Sequence, residues 1–222
     1  MGENGTGKST LLEAIAVAYG FNPEGGSKNF NFSSRDSHSG LHGSIRMQKG
    51  IPYAKDGFFL RAESFYNMAS EVERLAIDGE QEPIVDDESF ESMADPAFLK
   101  SYGGKSLHMQ SHGESFISLV ENRFRGNGLY ILDEPEAALS PTRQMALLVR
   151  IHELVRNHSQ LVIATHSPIL MTYPDADIYV FEENGIQKRP YEQTEHYYIT
   201  KAFLNKPETL LKELGILERK ND

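Results

Sequence analysis

The sequence has 222 residues, a formal net charge of −10 and no cysteine. This length suits one α/β domain with a substantial core, and the missing cysteines exclude a disulfide framework, a thiolate nucleophile and a cysteine-based zinc site. The acidic balance gives no support for a general nucleic-acid-binding surface, although it leaves room for a local basic patch. Because no apolar run approaches the ~20 residues of a membrane span and no signal peptide is visible, we expect a cytoplasmic protein without membrane insertion.

The first ten residues predict a phosphate-binding loop. The stretch GENGTGKST contains G-x-x-x-x-G-K-S, in which glycines let backbone N–H groups turn toward an anion. The lysine suits the β- and γ-phosphates of a nucleotide, and the serine hydroxyl suits Mg²⁺. A Gly-rich turn before an ordinary helix is the alternative interpretation. The residues predicted to bind nucleotide are Gly2, Asn4, Gly5, Thr6, Gly7, Lys8, Ser9 and Thr10.

A helix is predicted to follow this loop, since apolar residues recur at helical spacing and Gly20 suits the helix end. The predicted inner face consists of Leu12, Ile15, Ala16 and Tyr19. A P-loop normally follows a buried strand, whereas only Met1 precedes Gly2. We therefore expect the chain to lack one or two N-terminal strands, either as a fragment or through an internal start.

The segment after this helix predicts a strand and a helix between polar loops. Residues 21–43 are rich in Gly, Ser and Asn and predict a long loop. Residues 57–63 begin as an apolar strand and end polar, and residues 65–75 carry a helical pattern. Residues 78–95 hold many acids and no lysine or arginine, which indicates a solvated loop, with an acidic partner-binding segment as the alternative.

Another helix is predicted to begin near residue 111. Ser111 and Glu114 form an S-x-x-E capping box, and apolar residues follow at helical spacing. The ordinary interpretation is a helix start. A serine and a glycine, Ser111 and Gly113, at a helix N-terminus also provide what a second contact with a γ-phosphate requires.

Two carboxylates are predicted to lie at the end of a buried strand. Residues 129–132 are apolar, and Asp133 and Glu134 follow them, at the edge where open α/β sheets bind ligands. Asp133 suits a Mg²⁺ contact through water, and Glu134 suits the polarisation of an attacking water molecule. A surface turn is the alternative, but it does not explain why these acids accompany an upstream P-loop.

The next helix and strand lead to a histidine. Ser140 and Pro141 suit the N-cap and first position of a helix. Residues 161–164 predict a short buried strand that ends near His166, for which a γ-phosphate contact is favoured over packing or capping. The apolar face predicted for the helix consists of Met145, Leu148, Val149 and His152.

The C-terminal part predicts a hairpin and a helical segment. Residues 178–182 and 186–191 flank Asn184 and Gly185, which favour a type I′ turn. Residues 195–217 predict helix with a break near Pro207.

Five motifs, taken in order, resemble those of the ABC-type ATPases, and in particular small soluble bacterial predicted ATPases of the AAA/ABC kind. GENGTGKST is similar to Walker A, QSHGE to a variant signature motif, LYILDEPE to Walker B with its catalytic glutamate, AALSP to the D-loop and ATHS to the histidine switch loop. The resemblance implies an α/β P-loop NTPase fold with a mainly parallel sheet flanked by helices. Residues 1–222 would form one ABC-type domain, with a helical signature subdomain at about 64–125.

The resemblance also implies a head-to-tail homodimer that holds two ATP molecules between its protomers. Lys8 and Ser9 would bind ATP and Mg²⁺, Glu134 would be the general base and His166 the γ-phosphate sensor. ATP binding would then favour the dimer, and hydrolysis would release it. The residues that would reach the ATP bound to the other protomer are Ser111, His112, Gly113 and Glu114.

Several positions depart from the family pattern. His112 replaces a small residue of the signature motif, Glu114 replaces glutamine, and Ser140 stands where the D-loop normally has aspartate. The Q-loop residue is either Glu63, which follows the predicted strand and would act through water or Mg²⁺, or Gln48.

The predicted function is ATP hydrolysis by a module whose ATP-driven dimerisation acts on an unidentified protein partner, in a setting such as nucleic-acid maintenance or cell defence. The alternatives are the ATP-binding subunit of a membrane transporter and a non-hydrolysing nucleotide switch. The coiled-coil ATPases of chromosome maintenance and break repair are excluded, because the interval between Walker A and the signature motif carries no heptad repeat.

Overall fold

The computed structural model describes residues 1–2, 5–27, 39–50, 53–62, 65 and 111–217. The chain divides into two compact units, one of residues 7–165 and one that combines residues 1–6 with residues 166–222. Within the described ranges, no helix combines the length and the apolar character needed to cross a bilayer. Phe65 is helical, and the rest of the predicted 65–75 helix and the acidic 78–95 segment lie outside the described residues.

Within the described part of the larger unit, a parallel three-stranded sheet forms the centre. Its strands are β1 (Asp56–Arg61), β2 (Gly128–Asp133) and β3 (Gln160–Ala164), in the order β1-β2-β3. Every residue of β2 is buried, which agrees with the apolar run that predicted it. The register pairs Arg61 with Asp133 and Asp133 with Ala164, so the carboxyl ends of all three strands meet at one edge. This sheet and its flanking helices confirm the predicted α/β fold class.

Among the described residues, three helices of more than ten residues accompany this sheet, and each begins or ends as the sequence predicts. They are α1 (Lys8–Tyr19), α2 (His112–Arg123) and α3 (Pro141–Arg156). Gly20 ends α1 in the left-handed conformation, with φ of 102°, and Ser140 caps α3. The predicted inner face of α1 is confirmed, because it joins a core cluster with Phe21, Phe59, Leu129, Ile131 and Ala164.

The buried face of α3 differs from the prediction. Met145 and Val149 are 53% and 62% exposed, so the predicted apolar face is wrong. Apolar residues occur on two sides of this helix, and burial selects the side that packs against β3 and α2. The buried residues are Gln144, Leu147, Ile151 and Leu154.

The smaller unit contains an antiparallel hairpin of β4 (Tyr179–Glu182) and β5 (Gly185–Lys188), which confirms the predicted hairpin. Glu182 pairs with Gly185, so the two turn residues are Glu183 and Asn184, one position earlier than the predicted Asn-Gly turn. Gly185 opens the second strand with φ of 112°, a value that favours glycine.

Met1 extends this hairpin on the β4 side. Its amino group donates to Tyr179 O at 3.0 Å, and Phe181 N donates to Met1 O at 2.7 Å. The residue that leads into the P-loop sequence therefore makes strand-like backbone contacts. The unit ends in α4 (Glu195–Asn205) and α5 (Pro207–Glu213), and the predicted break at Pro207 is confirmed.

Candidate nucleotide site

The start of α1 and the end of β2 bring two oxygen donors together. Ser9, in the first turn of α1, donates from its hydroxyl to Asp133 Oδ1 at 3.0 Å. Asp133 is the last residue of β2 and is 6% exposed. The serine of the predicted P-loop and the first carboxylate of the predicted Walker B motif are therefore in direct contact, although 124 positions separate them.

Lys8 places a buried cation beside these oxygens. The residue is 4% exposed, and desolvation lowers the pKa of its ammonium. The charges of Glu134, Asp133 and Glu136, in that order, oppose this shift. An ammonium that is removed from water and faces carboxylates from one side has the chemistry to bind an anionic phosphate.

Glycine conformation shapes the turn that leads into α1. Gly7 is the N-cap of α1 with φ of 85°, and it offers no capping side chain. Gly5 belongs to the smaller unit and has φ of 82°. Because side chains other than glycine rarely adopt these angles, the glycines are required by the backbone itself. The first N–H groups of an α-helix lie outside its internal hydrogen-bond pattern, so a helix start of this kind is suited to binding an anion.

Glu134 holds a strained backbone conformation. Its φ and ψ are 50° and 51°, in the left-handed region, and Pro135 follows it. The Glu134 N–H donates to Ala164 O at 2.9 Å, which ties this residue to the end of β3. Such a conformation costs about 1–2 kcal/mol for a residue with a Cβ and is frequent where a side chain must be aimed at a reacting group.

Arg61 contributes a cation that the sequence analysis did not identify. Its Nη1 donates to Glu13 Oε2 at 2.9 Å, and its Nε lies 3.7 Å from Asp133 Oδ2. Arg61 ends β1 opposite Asp133 in the sheet register, so the polar end of the predicted strand was the available signal. This guanidinium partly balances the charge of the carboxylate that contacts Ser9.

The predicted signature residues form a second cluster with Arg143. The capping box of Ser111 and Glu114 is present, and the Ser111 N–H donates to Glu114 Oε2 at 3.1 Å. Arg143 Nη1 donates to Ser111 Oγ at 3.2 Å, and its Nη2 donates to Glu114 Oε1 at 2.9 Å. A Cβ on Gly113 would lie 2.5 Å from Arg143 Nη1 and 2.8 Å from Ala138 O. The arginine side chain can shift, but the Ala138 carbonyl is backbone, so this close approach favours glycine at position 113.

Other predicted site residues lie in the smaller unit or at the surface. His166 Nδ1 lies 2.9 Å from His196 Nε2, a partner that sequence reasoning missed because 30 positions separate the two rings. Gly2 packs against Phe181, since an added Cβ would lie 2.7 Å from its carbonyl oxygen. Of these other residues, Thr6, Thr10, Gln48 and His112 are exposed. The predicted residues Asn4 and Glu63 lie outside the described residues.

The side chains of Lys8, Ser9 and Asp133 are suited to bind a nucleotide together with Mg²⁺. Mg²⁺ in nucleotide sites is usually held by one or two protein oxygens together with phosphate and water, so a complete protein cage is not expected. Ser9 Oγ and Asp133 Oδ1 are hard oxygen donors at this point, and Lys8 supplies positive charge. In the described part of the chain, no group of three or more acidic or histidine side chains is arranged so that it could hold a metal ion.

Comparisons with known proteins found similarities to a family of AAA domains and to ABC transporter proteins. A family model described as "AAA domain, putative AbiEii toxin, Type IV TA system" matches residues 110–172, which contain the stretches predicted to be the signature, Walker B, D-loop and histidine motifs. An ABC transporter G family member, STR2, from Medicago truncatula is 23% identical over 183 residues. That match covers 76% of this chain and 23% of the relative, so the chain spans about a quarter of the relative's length.

A solved structure also resembles the chain. It is described as an inward-facing conformation of a putative metal-chelate type ABC transporter, with a TM-score of 0.47 and 16% sequence identity. The match covers 89% of this chain and 74% of that chain. The family-model and sequence matches confirm the predicted resemblance to ABC/AAA P-loop ATPases.

Proposed function

We propose that this chain binds Mg-ATP and hydrolyses it to ADP and phosphate. The observation that carries this proposal is the contact of Ser9 Oγ with Asp133 Oδ1 at 3.0 Å, beside the buried ammonium of Lys8. A structural P-loop-like turn would not require a buried lysine to face the carboxylates that follow a central strand. The likeness to ABC/AAA P-loop ATPases supports nucleotide-dependent ATPase activity at the family level.

The individual residues divide the work by their chemistry. Lys8 would neutralise the β- and γ-phosphates, while Ser9 and Asp133 would hold Mg²⁺, which supplies further charge stabilisation to the transferred phosphoryl group. Glu134 would accept a proton from the attacking water, and its backbone bond to Ala164 O fixes where the side chain begins. The resemblance also gives His166 the role of γ-phosphate sensor.

The active form proposed here is a head-to-tail homodimer. Ser111, Gly113 and their neighbours lie at the start of α2, and Ser111 and Glu114 are exposed, so this face is accessible to a second copy. ATP held by the predicted P-loop of one protomer would contact the start of α2, which carries Ser111 and Gly113, in the other protomer. The binding free energy of ATP would therefore favour the dimer. The association of the two protomers would in turn act on an unidentified protein partner.

The decisive experiment compares Glu134→Gln and Lys8→Ala chains by light scattering, with and without Mg-ATP. Glu134→Gln should form an ATP-dependent dimer because it binds but does not turn over nucleotide. Lys8→Ala should stay monomeric and lose at least about 100-fold in ATP affinity, because the cation facing the phosphates is gone. Lys55→Ala, at an exposed position, is the matched control and should dimerise in the Glu134→Gln background. Unchanged nucleotide affinity of Lys8→Ala contradicts the proposal.

A second candidate is the ATP-binding part of a membrane transporter, favoured by the match to a protein that is named an ABC transporter. The two candidates share the nucleotide chemistry and differ in the partner. Affinity purification of the Glu134→Gln chain from detergent-solubilised membranes separates them. Stoichiometric recovery of one integral membrane protein favours the transporter, and recovery of the chain with soluble proteins alone favours the first proposal.

A further inference from the structure

The contacts of Ser111 leave its hydroxyl without a proton for a phosphate. Ser111 Oγ lies 2.8 Å from Glu114 Oε2, and a carboxylate accepts but does not donate. The Ser111 hydroxyl and N–H, followed by the charge of Arg143, lower the pKa of Glu114, so this carboxylate is ionised near neutral pH. A serine hydroxyl has one proton, and in this arrangement it is directed to Glu114.

Arg143 has the donors that Ser111 lacks. A guanidinium only donates, so Arg143 Nη1 must donate to Ser111 Oγ, which makes the serine oxygen an acceptor on that side. Of the five N–H groups of an arginine side chain, the contacts with Ser111 and Glu114 use two. The side chain of Arg143 is 35% exposed, so part of the guanidinium faces solvent.

The charge of the cluster also depends on Arg143. The Glu114 carboxylate lies 2.8 Å from Ser111 Oγ and would repel a γ-phosphate that approached this serine. The ion pair of Arg143 Nη2 with Glu114 Oε1 at 2.9 Å offsets this repulsion. Gly113 allows the guanidinium to lie across the helix start, because any Cβ there would overlap Arg143 and Ala138 O.

We propose that Arg143, rather than Ser111, is the main hydrogen-bond donor that this face offers in trans to the γ-phosphate bound by a second copy. The proposal rests on the proposed ATP-driven dimer and deepens it by exchanging the role expected for Ser111. Arginine suits this role, because its planar guanidinium can hold Ser111 and Glu114 with one edge and present the remaining N–H groups to phosphate oxygens. The Arg143 side chain begins in the first turn of α3, directly after the predicted D-loop, which links the two motifs.

The first test compares steady-state ATP hydrolysis of single variants. Arg143→Ala should lose about 100-fold or more in kcat, as is usual when a phosphate-contacting arginine is removed, with ATP affinity of the monomer within about 3-fold. Ser111→Ala should lose only about 10-fold, because the hydroxyl anchors Arg143 without touching phosphate itself. Arg143→Lys should fall between them, since lysine keeps the charge but cannot bridge both partners. Arg156→Ala, at an exposed position of the same helix, is the control and should match the wild type.

The second test asks whether Arg143 acts on the other protomer. Lys8→Ala and Arg143→Ala are each inactive alone, but a mixed dimer would hold one site with an intact Lys8 and an intact Arg143, and the ATP bound at that site would join the two chains. Mixing equal amounts should restore up to about a quarter of the wild-type rate, because half of the dimers are mixed and each has one complete site. A purely structural role for Arg143 within its own protomer would give no recovery.

The outcomes separate this inference from the proposed function. A wild-type chain without hydrolysis or ATP-dependent dimerisation contradicts the proposed function itself. If the wild-type chain hydrolyses ATP, three results would overturn the role of Arg143 alone. These are full turnover by Arg143→Ala, a larger loss of turnover in Ser111→Ala than in Arg143→Ala, and no recovery of activity on mixing. Circular dichroism of Arg143→Ala, with Arg143→Gln as the second variant, ensures that a folded chain is compared.

Discussion

Ser9 and Asp133 share a hydrogen bond of 3.0 Å across the top of the parallel sheet. The bond lies where α1 begins and β2 ends, and Arg61 Nε stands 3.7 Å from the other oxygen of the same carboxylate. Asp133 therefore contacts a hydroxyl on one side and approaches a cation on the other. This arrangement holds the carboxylate in one orientation and makes the role of the serine hydroxyl testable.

Ser9→Ala should weaken the Mg²⁺-dependent part of ATP binding. Removing the hydroxyl takes away one oxygen donor for the metal and leaves Lys8 in place, so we expect about a 10-fold loss of affinity with Mg²⁺ and little change with EDTA. Ser9→Thr keeps the hydroxyl and serves as the matched control. Titration of a fluorescent ATP analogue with and without Mg²⁺ measures both effects, and equal losses under the two conditions would contradict a metal role.

Glu134→Gly should stabilise the fold while it abolishes turnover. The left-handed conformation of Glu134 costs about 1–2 kcal/mol for a residue with a Cβ, and glycine removes that cost. We expect the free energy of unfolding to rise by about 1 kcal/mol relative to Glu134→Gln, which keeps the Cβ and is equally inactive. Denaturant unfolding measures the difference. A Glu134→Gly chain less stable than Glu134→Gln would show that side-chain contacts outweigh the strain.

The sequence predicted the ends of the strands well, because the three strands of the larger unit are short apolar runs with polar residues after them. Asp133, Glu134 and His166 were chosen as candidate site residues because ligands bind at the carboxyl ends of parallel strands. Arg61 and Arg143 were not identified. Their partners lie 48 and 32 positions away, at Glu13 and Ser111, and no periodicity in the sequence connects residues that meet only through packing.

The face of α3 shows a different limit of sequence reasoning. Its apolar residues occupy two sides, so helical spacing alone admits two buried faces, and contact with α2 and β3 decides between them. The hairpin turn of β4 and β5 shifted by one residue for a similar reason. Asn-Gly predicts a turn, but strand pairing sets the register, and Gly185 became the first residue of β5.

Leu147→Ala and Met145→Ala measure which face of α3 supports the core. Leu147 is fully buried, so its truncation should cost about 2–5 kcal/mol of unfolding free energy. Met145 is 53% exposed, and its truncation should change stability by less than about 1 kcal/mol. Thermal or denaturant unfolding of the two variants compares them directly. Equal losses would support the face that the sequence predicted.

Tyr130→Phe should destabilise the centre of the sheet. The buried Tyr130 hydroxyl donates to Asp56 Oδ2 at 2.8 Å and accepts from Gly126 N at 3.0 Å, so its removal leaves both groups with one partner fewer. We expect a loss of about 1–3 kcal/mol, against less than about 0.5 kcal/mol for Tyr53→Phe, which is 65% exposed.

The loss of stability caused by Tyr130→Phe should depend on pH, and it should become smaller at high pH. Burial, followed by the hydrogen bond to Asp56, raises the pKa of Tyr130 above its ordinary value of 10.0. The unfolded chain therefore loses the phenol proton before the folded chain, so the stabilisation is complete below pH 10 and declines above it. The free energies of unfolding of wild type and Tyr130→Phe should be measured at about pH 8 and about pH 10.5. The difference between the two chains should be smaller at the higher pH. A gap that widens would contradict this assignment.

Gly113→Ala should disturb the cluster that faces the second copy. The added Cβ would lie 2.5 Å from Arg143 Nη1 and 2.8 Å from the Ala138 carbonyl, and the backbone atom cannot move as easily as the arginine. We expect about 1–3 kcal/mol of lost stability, together with loss of ATP-dependent dimerisation in the Glu134→Gln background, because the guanidinium is displaced from Ser111. Gly40→Ala is the matched control, since a Cβ there meets no atom within 4 Å. Thermal unfolding and light scattering measure both effects, and a Gly113→Ala chain that dimerises normally would show that the close fit of Arg143 over this glycine is not needed for assembly.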